Sequence, residues 1–158
     1  MTINTLERTE TQPRLDYSKA APSALQAMLA ISDTVQKSGL EHSLLNLVTT
    51  RASQINGCAL CIDMHVREAK AAGETDQRLN LLVAWREVNI YSERECAALR
   101  WTELLTRLAD NHVEDEDFTA AREEFSESEL ANLTLAIVVI NGWNRFNVGF
   151  KVPPGFAG

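Results

Sequence analysis

The chain has 158 residues, 15 Lys and Arg against 22 Asp and Glu, 45% apolar residues and three cysteines. That is one domain, long enough to bury a core without a disulfide framework or a structural metal. The net charge of −7 lies mostly in residues 101–158, which carry −6, against −1 in residues 1–50 and 0 in 51–100. With no basic run to neutralise phosphates, nucleic acid and anionic membrane surfaces are excluded as partners, leaving small-molecule or protein chemistry. Residues 1–14 hold no apolar stretch, so neither a secretory signal nor a membrane anchor is expected, and the cytoplasm is the expected compartment.

Gly and Pro are scarce between residues 40 and 150, and nothing alternates with period two over a useful length. The expected fold is therefore all-α, about six to seven helices in one domain over residues 15–150, with residues 1–14 a flexible arm and 151–158 a tail. From Pro22, suited to a first helical turn, Leu25, Met28, Ile31 and Val35 recur at helical spacing until Gly39. A second helix runs from Leu40 to about Ser53 with Leu44, Leu47 and Val48 inward, and Asn56-Gly57 breaks it. A third starts near Cys58 and ends before Gly73, a residue suited to a left-handed cap. Asp76 to about Val88 reads as helix with Leu79, Leu82, Val83 and Arg86 on one side. Ser92 with Glu95, and Ser126 with Glu129, spell capping boxes ahead of apolar sets, and Asp115 to Phe125 between them reads as a short acidic helix with a solvated face. The last helix is apolar almost all round, which implies burial under other helices or between subunits.

The run RASQINGCALCIDMH, residues 51–65, carries the chemistry. In a helix starting at Gly57 or Cys58, the side chains of Cys58, Cys61 and His65 share one face. Free amide groups and the positive dipole end favour a thiolate there, lowering a thiol pKa from about 8.5 into the range of roughly 3.5–7.5. Cys58 lies nearer the dipole end and Cys61 nearer His65, so either is a candidate for the attacking thiol. Such a pair supports two-electron chemistry without a metal: one thiolate takes an oxygen from a peroxide, and the neighbour displaces water to form a disulfide. The imidazole can move the proton near neutral pH. Zinc is the nearest rival, but a fourth ligand is needed and there is no second Cys/His cluster. Covalent haem would need His where Ile62 stands, and a thioredoxin-like site would need a preceding strand.

This run, followed by Glu68, Ala69 and Gly73 and continued in Trp85-Arg86-Glu87, Ser92-Glu93-Arg94-Glu95, Leu133-Thr134-Leu135-Ala136-Ile137 and Asn141-Gly142-Trp143-Asn144-Arg145, closely resembles the alkylhydroperoxidase D-like branch of the carboxymuconolactone decarboxylase family. The resemblance spans roughly residues 14–150. It implies an all-helical fold assembled into homo-oligomers, trimers or hexamers. It further implies a peroxidase-type reaction on hydrogen peroxide or organic hydroperoxides, with Cys61 as the peroxidatic thiol, Cys58 as the resolving thiol and His65 in a proton relay. The implied reductant is a dithiol such as a lipoyl group on a partner protein, with no metal or other cofactor. Decarboxylase members of the broader family generally lack the cysteine pair, which speaks against lactone decarboxylation here.

One departure matters. Family members with peroxidase activity usually carry Glu twelve residues before the first cysteine, and this chain has Asn46 there, which is neither acid nor base at physiological pH. His42, one helical turn earlier, and Glu87 are the candidate substitutes in the relay. Without a relay the chain would be a slow thiol peroxidase, or a redox-responsive helical oligomer with little turnover. Among the remaining residues, Trp85, Trp101 and Trp143 read as core or subunit contacts, His112 as a surface residue and Cys96 as a small buried thiol. Asn141 and Arg145 read as inter-helix or inter-subunit hydrogen-bonding groups.

Overall fold

A computed structural model describes residues 12–155, and every regular element among them is helical. In chain order these are α1 (Tyr17–Ala20), α2 (Pro22–Gln36), α3 (His42–Asn56), α4 (Ala59–Ala71), α5 (Asp76–Leu81), a 3₁₀ segment (Leu82–Glu87), α6 (Glu93–Thr106), α7 (Asp115–Glu124) and α8 (Glu127–Gly149). The all-α expectation holds. Residues 1–11 of the expected arm and 156–158 of the expected tail lie outside the described residues. The two ends of the described chain meet, because the Arg14 amide donates to the Phe150 carbonyl at 2.7 Å.

Local chemistry sets most of the boundaries. Pro22 stands at the first turn of α2, and both expected capping boxes are formed, Ser92 with Glu95 on α6 and Ser126 with Glu129 on α8. A third box, Glu114 with Asp117, opens α7 and was not expected from the sequence. It differs from the other two because the bond formed is the return half, the Glu114 amide donating to the Asp117 carboxylate at 3.2 Å, while the Asp117 amide donates to the Glu114 carbonyl.

The segment from Asp76 to Val88 departs from the expected single helix. The chain leaves α-helical geometry after Leu81, tightens into 3₁₀ and kinks at Ala84 (φ −121°, ψ 32°). The kink changes which side chains face inward. Leu79, Leu82 and Trp85 are buried, while Val83 is 61% exposed and Arg86 also lies outside. What holds Trp85 inward is polar as well as apolar, since its indole N–H donates to Glu103 at 2.9 Å.

α3 lies at the centre, packed against α4, α6 and α8. Leu44, Leu45 and Val48 of α3 meet Ala98 and Trp101 of α6 and Leu133, Ala136 and Ile137 of α8 in the main core. A second cluster, Leu47, Leu82, Trp85, Tyr91 and Leu99, lies on the other side of α3, with Cys96 half-buried against it. Between the apolar layers runs a buried ion pair. Arg51 of α3 donates through Nε to Glu103 of α6 at 2.8 Å, and Arg86 adds a second contact to the same carboxylate. Burial pushes the Glu103 carboxyl up, but hydrogen bonds from Arg86, Trp85 and Arg51 outweigh it and hold the group below the usual carboxylate range. No helix among the described residues is long and apolar enough to cross a membrane.

Candidate active site

The link from α3 to α4 explains why the cysteines fall where they do. Gly57 adopts a left-handed conformation (φ 66°, ψ 33°), its amide donates to the Gln54 carbonyl, and the Cys58 amide donates to the Ser53 carbonyl at 3.0 Å. This pair of bonds is the Schellman closure, which favours glycine at the left-handed position. The chain then turns straight into α4 with Cys58 as its N-cap, whose sulfur accepts from the Cys61 amide at 3.3 Å. Cys58 and Cys61 are joined as a disulfide, with Cα atoms 5.3 Å apart. Both are 1% exposed.

The two sulfurs are not equivalent. Cys61 lines a cavity of about 380 Å³, and Cys58 does not. The cavity walls are largely apolar: Val35 from α2, Leu60 and Met64 from α4, and Val139, Ile140 and Trp143 from α8. Its polar groups are few, with Tyr17, Ser32, Gln36, Thr49, His65, Glu68 and Asn147 reaching the lining. A concave apolar site with a few convergent polar groups suits a small organic ligand.

His65 stands one turn beyond Cys61 on the same face of α4 and also lines the cavity. Its Nδ1 is 3.0 Å from a carboxylate oxygen of Glu68, another lining residue. Burial pushes the imidazole below its ordinary value, while Glu68 pulls in the opposite direction and does not overcome it. The shift favours the neutral ring, which can accept a proton, with the Glu68 carboxylate beside the imidazolium that would result.

The remaining relay candidates lie elsewhere. Asn46 is half-buried on α3 outside the cavity lining, where the next turn instead presents Thr49. His42 and Glu87 are exposed and also outside the lining. Ser53, further along α3, is fully buried and accepts from the Asn144 amide at 3.0 Å. Among the described residues, no group of three or more His, Cys, Asp and Glu is placed to hold a metal ion.

Sequence reasoning missed the polar contact that reaches the sulfur. Asn147 of α8 donates through Nδ2 to Cys61 Sγ at 3.3 Å, and its Oδ1 accepts from the Tyr17 hydroxyl at 3.1 Å. Below it, Asn56 donates to Asn141 at 2.9 Å and to Asn144 at 2.8 Å, tying the end of α3 to α8. Asn141 thus bonds between helices as expected, also reaching Thr106 of α6 at 3.0 Å, and Arg145 donates to its carbonyl. The spacing of Asn141, Asn144 and Asn147 along an otherwise apolar helix was the available signal, since buried amides must find partners. Of the three tryptophans, Trp85 and Trp101 are buried, and Trp143 lines the cavity with its N–H on Ser32 at 2.9 Å. His112 is exposed.

An all-helical scaffold with a Cys-x-x-Cys disulfide at a helix start, beside an apolar cavity, defines the class of helical protein to which this chain belongs. The model of the carboxymuconolactone decarboxylase family matches residues 22–104, and the chain belongs to that family. It is 38% identical to the uncharacterized protein YdfG of Bacillus subtilis over 135 residues, 85% of this chain and 92% of YdfG. Among solved structures it is similar to ATU0492 of Agrobacterium tumefaciens, a protein of unknown function described as a candidate antioxidant defence protein AhpD. That match has 42% identity and a TM-score of 0.88 over 92% of this chain and 100% of that one. An uncharacterized peroxidase-related protein from Silicibacter sp. TM1040 shares the fold at 20% identity, with a TM-score of 0.76 over 85% of this chain and 71% of that one.

Proposed function

We propose that this protein is a thiol-dependent peroxidase of the alkylhydroperoxidase D-like type, with Cys61 as the attacking thiol, Cys58 as the resolving thiol and His65 in proton transfer. The observation that carries the reading is that Cys61 alone of the pair lines the cavity, with His65 in the same lining one turn further along α4. His65 takes the Cys61 proton, and the thiolate attacks the terminal peroxide oxygen. The O–O bond breaks, Cys61 becomes a sulfenic acid, and the departing alkoxide leaves as an alcohol after taking the proton back. Cys58 then attacks the Cys61 sulfur, and water is lost as the disulfide forms. An external dithiol, such as a lipoyl group on a partner protein, returns the two electrons. The net reaction is hydroperoxide plus dithiol giving alcohol, water and disulfide. Assembly into trimers or hexamers belongs to the same reading and is supported by the family membership.

The test is peroxide consumption with dihydrolipoamide as reductant, following cumene hydroperoxide and hydrogen peroxide. Cys61→Ser should abolish turnover, and Cys58→Ser should stop after one equivalent with a sulfenic acid that dimedone traps. Normal turnover in Cys61→Ser would overturn the assignment. Oxidation of the wild-type protein by one equivalent with no further cycling would point instead to a redox-responsive protein.

A further inference from the structure

Among the described residues the Cys61 sulfur has one side-chain hydrogen-bond donor, and that donor is neutral. Asn147 is 7% exposed and its Nδ2 lies 3.3 Å from Cys61 Sγ. On its other side the Tyr17 hydroxyl donates to Oδ1 at 3.1 Å. A flipped amide would set its oxygen against an acceptor-only thiolate, so the sulfur selects the NH₂ end and the Tyr17 hydroxyl holds the amide in that orientation. Tyr17 is itself clamped, with its ring 5.1 Å from Phe146 and 5.9 Å from Phe150 between centroids. The segment leading to it is held by the Arg14–Phe150 backbone bond.

The charges around the sulfur make this contact count. From α4 the cavity receives His65 and Glu68, and from α1 it receives the Tyr17 phenol, whose ionisation burial disfavours. The polar groups from α2, α3 and α8 are Ser32, Gln36, Thr49 and Asn147, all neutral, and among the described residues no Lys or Arg lines the space. Once His65 has taken the thiol proton its imidazolium lies one turn along α4 from the thiolate, and the other groups that favour anionic sulfur are the start of α4 and the amide. A disulfide sulfur is a weak acceptor, whereas a thiolate accepts a charge-assisted bond about twice as strong as a neutral one. The Asn147 contact therefore favours the reduced, ionised form over the disulfide in which the structure records it.

We propose that Asn147 is a catalytic residue of the dithiol site, its amide N–H holding the negative charge on reduced Cys61, and that Tyr17 is the positioning residue that keeps this N–H aimed at the sulfur. The proposal rests on Cys61 being the reactive thiolate in the function put forward above, and it adds the group that stabilises that thiolate in a chain with Asn46 in place of Glu.

The experiment uses the full chain with Cys58→Ser, since serine keeps the N-cap, so that Cys61 is the reactive site thiol. The rate of Cys61 alkylation by iodoacetamide is followed by peptide mass spectrometry from pH 5 to 10. Asn147→Leu should move the midpoint up by about one to two pH units, a 10- to 100-fold loss of thiolate at fixed pH below it, the scale of one hydrogen bond to a charged group. Asn147→Asp, nearly isosteric, should move it further, because a carboxylate replaces the donor. Tyr17→Phe keeps the aromatic packing and should move it up by less than Asn147→Leu. A purely structural role would lower the melting temperature and leave the midpoints in place. Midpoints of Asn147→Asp and Tyr17→Phe that match the parent would overturn the proposal, even if Asn147→Leu fails to fold. Peroxide consumption in the wild-type Cys58 background separates this proposal from the one it rests on. Shifted midpoints with no peroxide consumed by any protein would overturn the peroxidase reading and leave the Asn147 assignment standing. Normal consumption with unmoved midpoints would do the reverse.

Discussion

Glu103 is where stability and the site's scaffold meet, and its removal has a calculable cost. The carboxylate and its partner Arg51 have side chains only 10% and 9% exposed, so Glu103→Ala leaves a guanidinium in the core with Gln54 Oε1, at 3.2 Å, as its remaining hydrogen-bond partner among the described residues. Breaking one half of a buried pair costs about 3–5 kcal/mol, because the surviving charge stays desolvated. The Trp85 N–H loses its acceptor as well, at about 1–3 kcal/mol, although the two losses overlap and do not add in full. The Arg86 contact contributes less than about 1 kcal/mol, since that side chain is 53% exposed. A total near 4–5 kcal/mol lowers the melting temperature of a chain this size by about 8–20 °C. Glu103→Gln retains an acceptor for Trp85 and Arg51 and should cost about half as much.

Thermal and urea unfolding at one fixed protein concentration measure all three, with Arg86→Ala as the exposed control. The pH dependence has a definite sign. The folded-state carboxyl is held below its unfolded value of about 4.3, so its contribution is complete above that pH and is lost as pH falls through the folded value. Arg86→Ala costing as much as Glu103→Ala, or Glu103→Ala costing less than about 1 kcal/mol, would refute the account.

Three other outcomes follow from the same contacts. His65 has its folded-state value pushed below about 6.5 by burial against the pull of Glu68, so stability should fall as pH drops from about 6.5 through the folded value, and Glu68→Gln should push the NMR titration midpoint of the ring lower still. Ser126→Ala removes the acceptor for the Glu129 amide at the start of α8 and should cost about 1 kcal/mol in urea unfolding. Asn46→Glu should change the rate of peroxide consumption by less than about threefold, because position 46 lies outside the cavity lining, whereas Glu68→Gln should slow it by about 10-fold or more. A tenfold gain from Asn46→Glu would show that the relay runs through α3 after all.

Much of this architecture was legible because it is written in local chemistry. Gly57, the two serine capping boxes and Pro22 each act within four residues of themselves, and each does what its residue type dictates. The kink at Ala84 was not legible, because helical spacing alone placed Val83 and Arg86 inward. The competing demand comes from Glu103, a residue on another helix that draws the Trp85 indole into the core. The same limit applies at the site. Cys58, Cys61 and His65 could be placed on one face from their spacing, but the Asn147 amide and the Tyr17 phenol come from opposite ends of the chain, 130 residues apart in sequence. The relay candidates His42 and Glu87 illustrate the converse. Both are titratable residues close to recognisable motifs, yet the fold carries them to the surface, away from the cavity.

The departure at Asn46 takes on a physical meaning once the cavity is known. A relay carboxylate on α3 would sit on a different helix from the dithiol and would have to reach across the packing between α3 and α4. In this chain the sulfur, the imidazole and the carboxylate beside it lie at Cys61, His65 and Glu68, on successive turns of the single helix α4. Their relative positions are then set by helical geometry and are insensitive to small shifts between helices. What remains for a second element to supply is a donor for the sulfur, and a neutral amide meets that need without the desolvation cost of a buried cation. Asn147 occupies that position on α8. On the proposed reading, a chain organised in this way can dispense with a carboxylate at position 46, because proton transfer by His65 and thiolate stabilisation by Asn147 would come from different helices.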